Sequence, residues 1–358
     1  MRKKILFTAG GTGGHILPTV SLVNFFEKNY DIVLVSDSRA KKYFKLNKKI
    51  KIYTINTDTP YKKNIIQILR AYFKIFISLF ESIFIFIKEK PNLVFGLGGY
   101  VSFPISFISK IFSCPLVLYE NNASIGRANL KLLFVAKKIF VGNDNILNCP
   151  NRYLSKIKHT GNVLREEIYR LDNKKTNGMG EKISILVTGG SQGAEIFGVV
   201  IPAVIKRIKD AGYEIKINHQ CILEQKNSII EFYEKNNIKN YVFDFDKNIL
   251  KLVSNSSLAI SRCGASTTAE LTHTLTPFIA VPLPNSVDNH QYLNAKYYEN
   301  KGCCWLLEQD NFNAENLFNL IIEIIRNKNK LEKIRNNMKK SYNKNVYSNI
   351  ENELKEFI

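Results

Sequence analysis

The chain has 358 residues, 45% of them hydrophobic, and this length predicts two domains that each bury a core. Its 51 Lys and Arg against 31 Asp and Glu give a net charge of +20, which indicates either acidic partners or a lysine-rich composition without a single ligand. The composition excludes a disordered chain and a collagen, and the six cysteines lack the Cys-x-x-Cys spacing of a zinc site or a disulfide framework. We therefore expect a reducing, cytoplasmic location.

Short apolar runs alternate with helical patterns along the first half of the chain. The first predicted strand, residues 5–8, leads into a glycine-rich turn and a helix from about Ile16. Further strands are predicted at residues 32–35, 93–95 and 116–119. This alternation predicts a parallel sheet covered by helices on both faces.

Residues 65–87 are close to the length and apolar character of a membrane span. However, polar residues recur every three to four positions and predict one polar stripe on a helix, made of Gln67, Arg70, Lys74, Ser78 and Glu81. We therefore expect either a core helix or an interfacial helix resting on an anionic membrane surface. In the second case the inserted side chains include Ile75, Phe76, Leu79 and Phe80, and the basic flanks are Lys62, Lys63, Lys88 and Lys90.

The second half starts again with the same pattern. A predicted strand at residues 183–187 is followed by a glycine-rich turn at residues 189–193 and a helix to about Ala211. The repetition predicts an α/β protein with two Rossmann-like domains whose parallel sheets face a central cleft. The polar stretch 172–180 lies between them, and the hinge is expected there or near residues 161–164.

The turn after the first strand, Gly-Gly-Thr-Gly-Gly-His at residues 10–15, offers backbone N–H groups to an anion or a hydroxyl-rich ligand. It lacks the last glycine of G-x-G-x-x-G, and no P-loop lysine follows it. Asp37, after the second strand, still leaves a dehydrogenase open. His15 lies at the helix start, where the dipole disfavours the imidazolium form, and is either a general base or a cap of the turn.

Two more turns follow strands of the same predicted sheet. The glycine-rich residues 95–102 permit a ligand to approach closely, or serve tight packing alone. The Glu-Asn-Asn at residues 120–122 is expected to point into the same cleft, although asparagine is also common in turns.

A small-residue turn at residues 261–270 follows the predicted strand 258–260 and starts a helix. Its hydroxyls and N–H groups suit a pyrophosphate, and Glu270 suits a ribose diol. Thr267 and Glu270 also have the spacing of a capping box, which needs no ligand. Asp244 and Asp246 have the D-x-D spacing of a metal–nucleotide site, without further carboxylates beside them.

Taken in order, these stretches resemble the bacterial peptidoglycan glycosyltransferases of the GT-B fold, from residue 5 to about residue 310. The matching segments are residues 10–15, 98–102, 161–165, 189–194, 262–267 and 288–291. Each segment alone is weak evidence for the family, but the occurrence of all six in this order is specific.

The resemblance implies an inverting transfer of N-acetylglucosamine (GlcNAc) from UDP-GlcNAc to the 4-hydroxyl of the muramoyl (MurNAc) sugar in lipid I, which gives lipid II. It implies an acceptor and membrane-facing domain, residues 1–162 with the C-terminal helix 343–358, and a UDP-GlcNAc-binding domain, residues 163–342. His15 is the implied base, and the helix start at 266–268 and Ser191 the implied stabilisers of the leaving UDP. The implied substrate-binding residues are Thr12, Gly13, Gly14, Asn122, Arg165, Ser191, Asp246, Ala265, Ser266, Thr267, Thr268, Ala269, Glu270 and Gln291.

Five positions depart from the family pattern, two of them, Asn285 and Ser286, in a variable loop. Asn121 stands where glutamine is typical and Val163 where proline is typical. Asp246 stands where an apolar residue meets the uracil, so we expect its contact to run through the main chain.

We expect no metal and no cofactor, and a peripheral location on the cytoplasmic face of the cell membrane. The expected partners are UDP-GlcNAc, lipid I and an anionic membrane surface. The alternatives are another GT-B transferase or a sugar-nucleotide epimerase. A nucleic-acid-binding protein ranks last because no element interleaves clustered Lys or Arg with aromatic residues.

Overall fold

The computed structural model describes residues 2–10, 13–38, 50–171, 182–190 and 193–358. They divide into two compact units, the first made of Met1–Arg165 with Asn343–Ile358 and the second of Glu166–Tyr342. Within these described residues, no helix combines the length and the apolar character needed to cross a membrane.

The described part of the first unit contains a parallel sheet in the order β3-β2-β1-β4-β5-β6-β7. Its strands are β1 (Lys4–Thr8), β2 (Asp31–Ser36), β3 (Lys51–Thr54), β4 (Leu93–Gly96), β5 (Leu116–Glu120), β6 (Lys138–Val141) and β7 (Ile157–His159). Its helices include α1 (Gly13–Phe26), α2 (Ile65–Glu89), α3 (Ser102–Ile111), α4 (Arg127–Leu132), the 3₁₀ segment Asn151–Lys156 and the C-terminal helix Val346–Leu354. The central strands are buried on both faces, which explains why they read as continuous apolar runs in the sequence.

The C-terminal helix packs on the first unit through specific contacts. The Tyr347 ring stacks on Phe25 with centroids 5.0 Å apart, and its hydroxyl donates to the carbonyl of Leu164. Lys138 forms ion pairs with Glu353 and Glu356 at 2.7 and 2.8 Å. The chain therefore ends on the unit in which it began.

The described part of the second unit contains a parallel sheet in the order β10-β9-β8-β11-β12-β13. Its strands are β8 (Lys182–Thr188), β9 (Glu214–Gln220), β10 (Lys239–Phe243), β11 (Leu258–Ser261), β12 (Phe278–Ala280) and β13 (Cys304–Leu306). Its helices include α5 (Glu166–Tyr169), α6 (Glu195–Asp210), α7 (Lys226–Lys235), α8 (Ile249–Ser254), α9 (Ala265–His273), α10 (His290–Asn300), α11 (Ala314–Arg326) and α12 (Lys328–Ser341), with 3₁₀ segments at Leu223–Gln225, Val287–Asn289 and Gln309–Asn311. The C-terminal helix is α13. Two parallel sheets covered by helices confirm the predicted α/β class with two Rossmann-like domains.

Helix α2 confirms the predicted helix at residues 65–87, but its faces differ from the prediction. Its N-cap is Asn64, whose Oδ1 accepts from the N–H of Ile66 at 2.8 Å. Ser78, predicted on the polar stripe, is buried against the unit, and Leu79, predicted to insert into a membrane, packs on the core. Small side chains occupy part of the α2 face that packs on the unit, and many of its large apolar side chains lie on the exposed face. The exposed large apolar residues of α2 are Ile65, Ile66, Leu69, Tyr72, Phe73, Phe76, Ile77, Phe80, Phe84 and Ile87.

Glu89, the last residue of α2, has 1% of its side chain exposed, and its carboxylate links the helix to the sheet. It accepts hydrogen bonds from Tyr53 Oη at 2.7 Å, Lys4 Nζ at 2.9 Å and Lys51 Nζ at 3.3 Å. Burial alone would raise the pKa of Glu89, but these three donors outweigh it and lower the pKa to about 2.

We expect Glu89→Gln to lower the free energy of unfolding by about 2–3 kcal/mol at pH 7. The reason is that Lys4 and Lys51 lose the buried carboxylate to which they donate. The folded-state pKa lies below the ordinary 4.5, so this contribution is present above pH 4.5 and is lost as the pH falls toward about 2. Urea unfolding at pH 7 and pH 3 measures it, with exposed Glu81→Gln on the same helix as the control. A Glu89→Gln deficit that is equal at both pH values would contradict the assignment.

Candidate active site

The first two glycine turns touch through their backbones at the carboxyl ends of the paired strands β1 and β4. Gly10 N donates to Gly98 O at 3.3 Å, and a Cβ on Gly99 would lie only 2.3 Å from Gly10 O. Gly98 and Gly99 also have φ of +92° and +79°, which side-chain-bearing residues rarely adopt. Glycine is therefore required here for packing and for conformation.

His15 lies in the first turn of α1, which begins at Gly13 and continues through Gly14. Its Nδ1 is 3.1 Å from the carbonyl oxygen of Gly10, and a Cβ on Gly98 would lie 3.2 Å from its Nε2. A carbonyl only accepts, so Nδ1 carries the proton of the neutral ring and Nε2 carries the lone pair. The ring thus links the start of α1 to Gly10 in the glycine turn, and it places its basic nitrogen, Nε2, beside Gly98.

Asn122 is held by a buried carboxylate, Glu120, at the end of β5. Oε1 of Glu120 accepts from the N–H and from Nδ2 of Asn122 at 3.1 and 2.9 Å. Its Oε2 accepts from Gly126 N at 2.9 Å and from Nδ2 of buried Asn129 at 3.0 Å. Asn129 was not predicted from the sequence, because nothing in its spacing indicates that α4 brings it to this carboxylate.

Three further residues were predicted to bind substrate: Thr12, Ser191 and Arg165. Thr12 and Ser191 lie outside the described residues, as does the stretch 172–180, one of the two places in which the hinge was expected. Arg165 is half-buried and is the last residue of the first unit before the chain enters α5.

The turn after β8 in the second unit is tight. A Cβ on Gly189 would lie 2.3 Å from Ala194 N, and Gly190 and Gly193 have φ of +79° and +73°. Gly193 N donates to Gly190 O at 3.2 Å. As at β1, a strand is followed by a turn with glycines at its strained or closely packed positions, and then by a helix, here α6.

Helix α9 begins at Ala265, and its N-cap is Gly264, which has no side chain to accept from the first-turn N–H groups. Thr267 therefore lies inside the first turn, and the capping-box alternative for Thr267 and Glu270 is wrong. Thr268 is fully buried, and its hydroxyl bonds back to the carbonyls of Gly264 and Ala265 at 3.3 and 3.2 Å. The side chains of this helix start that remain half-exposed are those of Ser266, Thr267 and Glu270, whereas Ala265 and Ala269 are buried.

Cys263, just before α9, is fully buried. Burial raises the pKa of its thiol well above the usual value, so the thiol stays protonated at neutral pH. The turn therefore does not supply a thiolate nucleophile at neutral pH.

Gln291 in α10 joins the same turn from the other side. Its Oε1 accepts from Cys263 N at 3.1 Å and from Leu283 N at 3.0 Å. The side-chain oxygen thus already accepts two hydrogen bonds from the backbone. The N–H groups of the side-chain amide are the part of Gln291 suited to a ligand hydroxyl.

The two aspartates after β10 have different partners. Asp244 Oδ1 accepts from Lys226 Nζ at 3.1 Å, and this hydrogen bond lowers the pKa of Asp244. Asp246 accepts from Asn248 N at 2.7 Å and from Tyr241 Oη at 3.0 Å. In the described part of the chain, no three His, Cys, Asp or Glu side chains are grouped as metal ligands. Between the aspartates, Phe245 is 74% exposed and forms an aromatic surface that was not predicted from the sequence.

Two family models match most of the chain. The glycosyltransferase family 28 N-terminal domain matches residues 5–141, and the family 28 C-terminal domain matches residues 184–352. A putative UDP-N-acetylglucosamine 2-epimerase from Listeria monocytogenes is 14% identical, with a TM-score of 0.67 over 98% of this chain and 95% of that one, and shares the fold alone.

The stronger similarities lie with one group of transferases. A protein of Pelagibacter ubique (strain HTCC1062), named UDP-N-acetylglucosamine–N-acetylmuramyl-(pentapeptide) pyrophosphoryl-undecaprenol N-acetylglucosamine transferase, is 37% identical over 98% of this chain and 97% of its own. The crystal structure of Acinetobacter baumannii MurG is 25% identical, with a TM-score of 0.80 over 99% of both chains. The chain therefore belongs to glycosyltransferase family 28, among the transferases that carry this name.

Proposed function

We propose that this chain moves GlcNAc from UDP-GlcNAc to the 4-hydroxyl of MurNAc in undecaprenyl-pyrophosphoryl-MurNAc-pentapeptide (lipid I) and forms lipid II. The observation that carries the proposal is the 37% identity, over 98% of the chain, to a relative named for this transfer. The imidazole of His15, oriented by Gly10, and the start of α9, with glycine as its N-cap, are the two kinds of group that such a transfer needs.

The second unit binds the donor in this proposal. The start of α9 receives the pyrophosphate, because first-turn N–H groups and the helix dipole attract anions. Glu270 accepts from the ribose diol, and Gln291 donates from its amide nitrogen to a hydroxyl of the sugar. Asp246 meets the uracil through its main chain, since both oxygens of its side chain already accept hydrogen bonds from the protein.

The first unit binds the acceptor and deprotonates it. As the acceptor hydroxyl attacks the anomeric carbon, Nε2 of His15 takes its proton. The bond from the anomeric carbon to the β-phosphate oxygen breaks in the same step, and the helix start stabilises the charge that develops on UDP. A single displacement inverts the α-linked donor to a β-linkage.

Radiolabelled UDP-GlcNAc with a lipid I analogue, followed by chromatography of the products, tests the proposal. We expect a labelled disaccharide lipid that forms only when the acceptor is present. Conversion of UDP-GlcNAc to its epimer without acceptor would favour the epimerase alternative and overturn the proposal.

We expect Glu270→Ala to weaken UDP affinity by about 2–3 kcal/mol, because two charge-assisted hydrogen bonds to the ribose are lost. Since Glu270 lies inside α9 and forms no capping box, the variant should not lose the stability of a helix cap. Calorimetric titration with UDP and thermal unfolding measure the two effects separately. A lower melting temperature with unchanged UDP affinity would assign Glu270 to folding.

We also propose a peripheral location on the cytoplasmic face of the cell membrane, with α2 on an anionic surface. An undecaprenyl acceptor keeps its sugars near the headgroups, so the acceptor-binding unit must work close to the bilayer. The exposed aromatic face of α2 supports this placement, with Phe76 and Phe80 at its middle. Lys63 and Lys88 beside it are exposed cations that suit anionic headgroups.

A further inference from the structure

Gln220, the last residue of β9, is buried with a fully bonded side-chain amide. Its Oε1 accepts from Thr188 Oγ1 at 2.8 Å and from Gly189 N at 3.1 Å. Its Nε2 donates to Gly190 O at 2.9 Å and to Asp244 O at 3.2 Å. A primary amide has two donors and two acceptor lone pairs, so these four bonds fill its capacity.

The four bonds lead to two separate turns. Strand β9 lies between β8 and β10, so Gln220 stands between the ends of both neighbours. On one side is the tight glycine turn after β8, in which Gly190 has φ of +79°. On the other side is the segment Asp244 to Asp246 after β10. One side chain thus fixes the distance between the turns.

We propose that Gln220 is a positioning residue for the donor nucleotide. It holds the turn after β8, assigned to the phosphate side, and the segment after β10, assigned to the uracil side, so that both meet one ligand together. Its amide has no hydrogen-bonding capacity left for the ligand, so Gln220 acts through the two turns. This inference rests on the proposed function, because the segment after β10 is assigned to the uracil there, and the turn after β8 takes its phosphate role from the one that the family resemblance implies for Ser191.

Gln220→Glu is the sharpest variant because it changes one atom. Oε1 keeps both of its donors, whereas a carboxylate oxygen replaces Nε2 against the carbonyl oxygens of Gly190 and Asp244. Each carbonyl loses a hydrogen bond and faces negative charge, so the turns move apart. The matched control is Gln225→Glu in the same unit, which removes one bond from Nε2 to Glu195 O at 3.1 Å and touches neither turn.

Titration calorimetry with UDP and with uridine, beside thermal unfolding and steady-state kinetics, tests the proposal. We expect Gln220→Glu to weaken both ligands about 10-fold and to raise KM for UDP-GlcNAc by a similar factor. We expect kcat and KM for the acceptor to stay within about 3-fold, and Gln225→Glu to bind like the wild type.

Three outcomes would contradict parts of the argument, and they are distinguishable. A folded Gln220→Glu with wild-type UDP affinity would overturn the positioning role. A loss for UDP with unchanged uridine affinity would overturn the coupling of the two turns. Wild-type protein that does not bind UDP would instead overturn the proposed function.

If Gln220→Glu does not fold, Thr188→Val carries the same test. It removes one donor to the amide of Gln220 and a long contact of 3.5 Å from Gly190 N, and it preserves the shape of the side chain. We expect a UDP affinity about 3-fold below that of the wild type. Unchanged affinity would overturn the inference.

Discussion

Replacing His15 with alanine is expected to lower kcat by about 10²- to 10⁴-fold, the usual contribution of a general base. The reason is the tautomer that the fold selects. Nδ1 donates to the carbonyl of Gly10 at 3.1 Å, which leaves the lone pair of the neutral ring on Nε2. That nitrogen lies against the turn at Gly98, so the variant loses the proton acceptor while the glycine turns keep their backbone contact.

Single-turnover and steady-state kinetics, with UDP titrations, separate this role from folding. UDP affinity should remain within about 2-fold of the wild type, because the groups proposed for the uracil, the ribose and the pyrophosphate lie in the second unit. His159→Ala is the matched control: it is an exposed imidazole of the same unit that contacts the carbonyl of Gly142 at 3.2 Å. Equal losses in both variants, or a His15→Ala enzyme with wild-type kcat, would exclude His15 as the base.

Much of the fold could be read from the sequence because its signals are local. Parallel strands buried on both faces appear as short apolar runs, and the strand at residues 183–187 lies within β8. The glycine turns were equally visible, since positive φ and close backbone approach leave few other choices. The interior of each sheet therefore followed from residues that are close in sequence.

The faces of α2 could not be read in the same way. Both faces carry many apolar residues, so the periodicity located the helix without deciding which side packs. The unit buries Ala71, Ser78 and Ser82, whose small side chains allow close packing, and leaves Phe76 and Phe80 outside. Polarity alone would place the two serines outside, which is why the predicted stripe was wrong at Ser78.

The supporting residues of the candidate site were hidden for a different reason. Glu120 and Gln220 act on groups that the sheet order brings to them, and Gln220 reaches residues 24 and 32 positions away. No spacing in the sequence encodes such contacts. Residues that touch a ligand leave motifs, whereas residues that hold those motifs in place are found only when the strand ends are assembled.

Phe76→Glu combined with Phe80→Glu is expected to abolish most binding to anionic vesicles while the enzyme stays folded. The two rings are 57% and 58% exposed and contact each other edge to face at 4.9 Å. Inserting each into the interface would contribute about 1–2 kcal/mol, since about half of each is already buried, so losing both costs at least 10-fold in affinity. The two added glutamates are also repelled by the anionic surface. They therefore counteract the attraction of the cationic flanks, which contribute about 1 kcal/mol per Lys near the surface.

Co-sedimentation with anionic vesicles at two salt concentrations measures the effect, and a soluble acceptor analogue measures activity. Salt should weaken the cationic contribution and leave the apolar one. Leu223→Glu is the control, because Leu223 is 67% exposed but lies in the second unit. Leu79→Glu should instead unfold the first unit, since Leu79 packs on its core. Unchanged vesicle binding by the folded double variant would show that the outer face of α2 is not the membrane contact.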